Sequence, residues 1–208
     1  MVNAEIAKFN MIEQQIRPWE VLDHQVLNTL NQVNRADFVR EAYKGLAYAD
    51  CQIPVGNGVS MLPPTIEGRM LQALLIKPED RVLEVGSGGG YITTCLAKLG
   101  DRVTSIDPSA EIIDFARTNV TNSGQDNVEF QQLGLAQIDF SAVYDVIAVT
   151  GSLPQVPENL KLALKPGGRM FIVVGQSPVM EALLISRVGD AEWTTQSLFE
   201  TDLPRLRA

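Results

Sequence analysis

The chain has 208 residues, a hydrophobic share of 45%, a charged share of 20% and a net charge of −8, which suits one globular core with an appended piece. The acidic balance argues against a nucleic-acid backbone or an anionic membrane as partner, since both need a basic footprint. Cys51, Cys95 and a single histidine, His24, are too small an inventory for a zinc site and suit reduced thiols in a cytoplasmic protein.

Residues 1 to about 50 read as helical. Ile6, Phe9, Ile12 and Ile16 fall at near-helical spacing, and Pro18 stops the run. No basic segment followed by an apolar core opens the chain, so no leader peptide is expected. Asp23 is placed to cap a second helix that buries Val26, Leu27, Leu30 and Val33, with His24 as a surface or capping residue in its first turn. From Tyr48 to Pro64 the periodicity fails. The turn-rich segment Val55 to Pro64 reads as a loop, a candidate lid. Pro63 or Pro64 then opens a helix carrying Ile66, Met70, Leu71, Leu74 and Leu75, and Lys77 to Asp80 turns into an apolar run.

That run, Arg81 to Val85, ends in Gly86-Ser87-Gly88-Gly89-Gly90-Tyr91, the pattern of a buried parallel strand turning sharply into a helix beside a ligand. The dinucleotide fingerprint wants its third glycine at the sixth place, where Tyr91 stands. Glu84 precedes the glycines and would repel a pyrophosphate but not an ammonium. Asp107 closes the next apolar segment, Arg102 to Ile106. It is placed either to accept from ribose hydroxyls or to cap the helix that follows, and the two roles can coexist.

A helix over 109–122 buries Ile112, Ile113, Ala116 and Val120 and ends at Ser123-Gly124. Val128 to Gln132 is a short strand, and Tyr144 to Val149, apolar on both faces, is a central one. A helix near Pro157 to Leu164 is closed by Lys165-Pro166-Gly167-Gly168, and Arg169 to Val174 is the next strand. Ala182 to Val188 and Trp193 to Phe199 are two more. Alternating strands and helices predict an α/β fold with a doubly wound, mostly parallel sheet.

The acid-x-Gly-x-Gly-x-Gly run from Glu84 to Gly90 resembles motif I of class I methyltransferases that use S-adenosyl-L-methionine. Glu13-Gln14-Gln15-Ile16-Arg17-Pro18, Asn34 to Val39, Ala47-Tyr48-Ala49-Asp50 and Gly56-Asn57-Gly58-Val59-Ser60 resemble protein-L-isoaspartate O-methyltransferases. Val149-Thr150, Val156-Pro157, Pro166-Gly167-Gly168 and Val174-Gly175 follow that family's order too. The resemblance implies a Rossmann-like methyltransferase domain over 1–208. Residues 1–64 would form a helical extension with the active-site loop, and residues 65–208 the cofactor-binding core. It implies a cytoplasmic repair enzyme that methylates isoaspartyl residues of damaged proteins.

By the same resemblance Ser60 matches the serine of the active-site loop. Glu84, Gly86, Ser87, Gly88 and Gly90 match the cofactor loop, Asp107 the ribose-binding acid, and Leu135 the position near the adenine amine. Two departures stand out. Met61 to Thr65 is longer and more apolar than the family's segment, and Leu135 replaces an Asp that accepts a hydrogen bond. A different acceptor, or a relative that only binds, are the alternatives these departures leave. Oligomeric state is not legible.

Overall fold

In the computed structural model, which describes residues 4–138 and 142–206, the N-terminal third wraps one face of a sheet. Residues 1–3, part of the stretch read for a leader, lie outside the described residues. Helix α1 (Ala4–Asn10) runs into a π-helical segment, Met11–Ile16, and a 3-10 turn, Arg17–Trp19. The wider turn shifts the helical phase, so the buried side is Met11, Ile12 and Ile16, whereas Ile6 and Phe9 are 55% and 61% exposed. Helical spacing alone therefore does not carry Ile6 and Phe9 into the core. Helix α2 (His24–Gln32) begins as expected: the Asp23 carboxylate accepts from the backbone N–H of Gln25 and Val26, and His24 is exposed.

The segment expected to be a loop is a hairpin, β1 (Ile53–Gly56) and β2 (Val59–Met61), turning at Asn57 and Gly58, both with positive φ. Asn-Gly is the dipeptide such a two-residue turn selects. The hairpin and the pairs it forms are therefore a correction to the loop reading. Helix α3 (Pro64–Leu74) follows, and Leu75, expected within the helix, is instead its exposed left-handed C-cap.

The core then alternates β3 (Arg81–Val85), α4 (Tyr91–Leu99), β4 (Arg102–Asp107), α5 (Ala110–Asn122), β5 (Val128–Gln132), β6 (Tyr144–Leu153), α6 (Glu158–Ala163) and β7 (Leu164–Gln176). Two strands, β8 (Val179–Arg187) and β9 (Trp193–Thr201), complete it. The seven-stranded sheet has the order β5-β4-β3-β6-β7-β8-β9, parallel through β7 and antiparallel thereafter. The strand expected to be central, β6, stands in the middle, with Val146 to Val149 wholly buried. Period-two alternation divides the apolar side chains. Val82, Val146, Ala148, Phe171 and Val173 join the core under the N-terminal helices, α4 and α5. Leu83, Val85, Ile147, Val149 and Met170 pack on the opposite face with Leu160 and Ala163 of α6. Among the described residues no helix is long and apolar enough to cross a membrane.

Candidate active site

The chain proceeds from β3 outward to β4 and β5, then returns to lay β6 on the other side of β3. Loops leaving the carboxyl ends of β3 and β6 therefore diverge and open a crevice, the general ligand position in such sheets. The cleft there encloses about 640 Å³ of non-protein space, its open mouth included. It is lined by the glycine loop, by Ser60 to Leu62, by Glu84 and Asp107, and by Thr150, Gly151 and Pro204 to Leu206.

The loop folds as it does because Gly86, at φ +99°, sits under other chain segments. A Cβ there would lie 2.7 Å from Leu206 Cδ1 and would also meet the Thr150 hydroxyl. Gly90, at φ +86°, starts α4 by pressing on α5, where a Cβ would lie 2.9 Å from the Ala116 carbonyl oxygen. Gly90 thus serves helix packing and does not line the cleft.

Glu84 is wholly buried at the cleft. One carboxylate oxygen, Oε2, accepts from Thr93 Oγ1 at 2.6 Å and Ser105 Oγ at 2.5 Å, while Oε1 has no partner. Burial outweighs the two hydroxyls and, with nearby Asp107, pushes its pKa up to about 8. An unpartnered buried carboxylate oxygen beside a cavity is suited to a cationic ligand group. Ser87 is buried too, but its Oγ lies 2.8 Å from Ser105 Oγ, so its hydroxyl completes the shell around Glu84.

Asp107, at the end of β4, is 4% exposed, lines the cleft and accepts from the Ser109 backbone N–H at 2.9 Å. Ser109, not Asp107, caps α5, through its Oγ and the Ile112 N–H. The capping alternative is therefore resolved onto the neighbouring residue.

Ser60 lies on β2 opposite Pro54, half-buried, and its hydroxyl has no hydrogen-bond partner among the described residues. The hairpin is held over the glycine loop from two directions. Asn57 Nδ2 donates to Glu111 Oε2 at 2.8 Å on α5. Arg40 pairs with Glu111 at 3.3 Å, stacks 4.5 Å from the Phe115 ring centroid and donates to the Val55 carbonyl. Beneath it, the fully buried Arg35 donates to the Ala47 and Leu62 carbonyls at 2.7 and 2.6 Å and to Glu67 Oε2 at 2.9 Å.

Leu135 stands apart. It begins a 3-10 turn, Leu135–Gln137, packs against the α6 face and gives its carbonyl to Asn159 Nδ2; it does not line the cleft. Several lining residues carried no expected role. Thr150 follows the buried run of β6, and its Oγ1 donates to the Gly86 carbonyl at 2.5 Å. Tyr91, the residue that broke the dinucleotide pattern, is buried with its hydroxyl unpartnered. The tail after β9 returns to the end of β6: the Ser152 N–H donates to the Pro204 carbonyl, and the Leu206 N–H to the Ser152 carbonyl, both at 2.9 Å. Only Thr150 had a sequence signal, as part of the Val149-Thr150 pair that follows the family's order.

Residues 7–202 match the sequence model of the family described as Protein-L-isoaspartate(D-aspartate) O-methyltransferase (PCMT). A Protein-L-isoaspartate O-methyltransferase of Rhodopseudomonas palustris is 34% identical over 190 residues, covering 90% of this chain and 87% of that one. One of Koribacter versatilis is 38% identical over 181 residues, covering 85% and 80%. Among solved structures, a protein-L-isoaspartate O-methyltransferase from Plasmodium falciparum in complex with S-adenosyl-L-homocysteine superposes with a TM-score of 0.85. It covers 100% of this chain and 99% of its own, at 22% identity, and so bears on the fold.

Proposed function

The chain belongs to the protein-L-isoaspartate O-methyltransferase family, and from that premise we propose that it moves a methyl group from S-adenosyl-L-methionine to the α-carboxylate of L-isoaspartyl residues in damaged proteins. The observation that carries the reading on this chain's own residues is the buried Glu84 carboxylate, with one oxygen unpartnered, in the same cleft as Asp107. A cofactor with an ammonium at one end and ribose hydroxyls further along needs these two acceptors.

When bound, S-adenosyl-L-methionine supplies an electrophilic methyl on a sulfonium. Glu84 is assigned to the ammonium, Asp107 to the ribose, and Gly86, Ser87 and Gly88 to the backbone surface beneath the cofactor. Gly90 holds that loop against α5, and Leu135 supports the turn between β5 and β6 from outside the cleft. Both act on the cofactor through the fold. Ser60 is assigned to the acceptor. A carboxylate oxygen forms its bond to the methyl carbon as the carbon–sulfur bond breaks, so an anion and a cation become a neutral ester and a neutral thioether. No proton moves, and an ionised carboxylate needs no general base at neutral pH. The residues' task is alignment, worth up to roughly 7–11 kcal/mol of the barrier. The hairpin over the glycine loop, tied to α5 by Asn57 and Arg40, supports a role in excluding water.

In this reading residues 1–208 work as one domain, 1–64 supplying the acceptor side and 65–208 the cofactor side. The free thiols of Cys51 and Cys95 support a reducing, cytoplasmic setting. The test is transfer of labelled methyl from S-adenosyl-L-methionine to an isoaspartyl peptide, with the matching aspartyl peptide as control. Selective labelling is expected. Cofactor binding with no labelling of either peptide would move the acceptor to another class of compound.

A further inference from the structure

We propose that Arg205 is a specificity-determining residue that holds the carboxylate of the acceptor, an inference that rests on the methyl-transfer reading above. The tail that carries it is fixed in place. Ser152, wholly buried at the end of β6, donates through its N–H to the Pro204 carbonyl and through Oγ to the Leu203 carbonyl, and accepts from the Leu206 N–H, each at 2.9 Å. Arg205 pairs with Ser152 as a parallel bridge, so its backbone continues the sheet beside β6. Leu206 lies against Gly86 and Gly151. This Arg is thus mounted on a short stretch of paired backbone at the cleft mouth.

Charge makes the assignment. The ionisable side chains lining the cleft are Glu67, Glu84, Asp107, Tyr91 and Arg205, so among the described residues Arg205 is the one cation there. The Glu67 charge is matched by Arg35 beneath it, whereas the Arg205 guanidinium is exposed and has no ion pair or hydrogen bond among the described residues. Arg205 also lines the neighbouring open groove formed by Gln52, Gln176, Ser177, Met180 and Asp202. It therefore stands where a polypeptide lying in that groove would pass its reacting group into the cleft. An anionic acceptor entering a protein of net charge −8 meets a repulsive field, and a planar donor fork matched to carboxylate geometry is the group that offsets it. Once methylated the carboxylate is a neutral ester, so the same pairing is lost in the product. Arg205 then favours binding of substrate over product.

Because the pair is strongest before methyl transfer and fades as the carboxylate loses charge, its removal acts on the ground state. Arg205→Gln is expected to raise KM for an isoaspartyl peptide about tenfold, consistent with a charged hydrogen bond at an exposed site. The kcat should be unchanged or slightly higher, and the salt dependence of kcat/KM flatter. Arg205→Lys should restore part of the loss. Independently of turnover, calorimetry on protein loaded with S-adenosyl-L-homocysteine compares the isoaspartyl peptide with its α-carboxamide analogue. Wild type should prefer the carboxylate, and Arg205→Gln should bind the two alike. Equal binding of the two by wild type, or a preference that survives in Arg205→Gln, overturns the proposal. Absence of labelling by wild type with the binding preference intact overturns the methyl-transfer reading instead and leaves the carboxylate site standing.

Discussion

The floor of the cleft comes from one continuous stretch, Glu84 to Tyr91, whereas its rim is gathered from Ser60, Thr150 and Pro204 to Leu206, which lie far apart in the chain. The floor is fixed by local constraints: a strand buried on both faces, glycines at positive φ and a carboxylate under two hydroxyls. The rim is fixed by long-range ties, namely the Arg35 fan to Ala47, Leu62 and Glu67, the hairpin's bonds to α5, and the Ser152 bridge to the tail. A perturbation confined to the extension should therefore spoil the acceptor side while sparing the cofactor side.

Arg35→Met gives the largest break in that contrast. It leaves Glu67 buried without its cation and two carbonyls without their donor, and removing one partner of a buried pair costs roughly 3–5 kcal/mol. Denaturant unfolding should show a loss of that order, with KM for peptide rising more than the cofactor Kd. Adding Glu67→Leu should recover most of the stability, because it removes the stranded charge. A single variant as stable as wild type would mean the extension is held by its apolar contacts alone.

The floor has its own signature in pH. Glu84 ionises near its ordinary value when unfolded but only at about 8 when folded. Between about pH 4.5 and pH 8 the folded state thus holds the extra proton. Stability contributed by the neutral acid is complete below that window and is lost as pH rises through it, by up to ~1.4 kcal/mol per pH unit. Glu84→Gln should flatten this slope in urea titrations across the window. In calorimetry the wild type should release a proton on binding S-adenosyl-L-methionine near neutral pH, because the cofactor's ammonium favours the ionised carboxylate. An unchanged slope in Glu84→Gln would place the titration elsewhere.

The same division explains what could be read from the chain. Glu84, Gly86, Ser87, Gly88 and Asp107 announce themselves because a buried strand, a sharp turn and a strand-terminal acid each leave a local trace. The rim leaves almost none. Arg205 and Leu206 reach the cleft only because Ser152 draws the tail back onto β6, a tertiary pairing that no periodicity encodes. Ile6 and Phe9 keep helical spacing yet stay exposed, since the π-helical segment after Asn10 resets the phase. Asn57-Gly58 was a legible hairpin signal, masked by the surrounding glycines and prolines that suggested irregular loop.

Ser60 separates the two regions most finely, and with the smallest effect. Its partner across the hairpin, Pro54, has no N–H to give, and its own hydroxyl has no partner among the described residues. The hairpin can therefore lose that hydroxyl without losing a bond that shapes it. A neutral hydrogen bond to the acceptor contributes about 0.5–1.5 kcal/mol, so Ser60→Ala should slow turnover roughly 2- to 12-fold while the cofactor Kd stays within about twofold. Among the described residues no base is hydrogen-bonded to the hydroxyl, so a loss far beyond that range would require a nucleophilic role that the hydrogen-bond network does not support. A fall in cofactor affinity as large as the fall in turnover would show that the hairpin closes both sides of the cleft together, and the contrast between floor and rim would collapse.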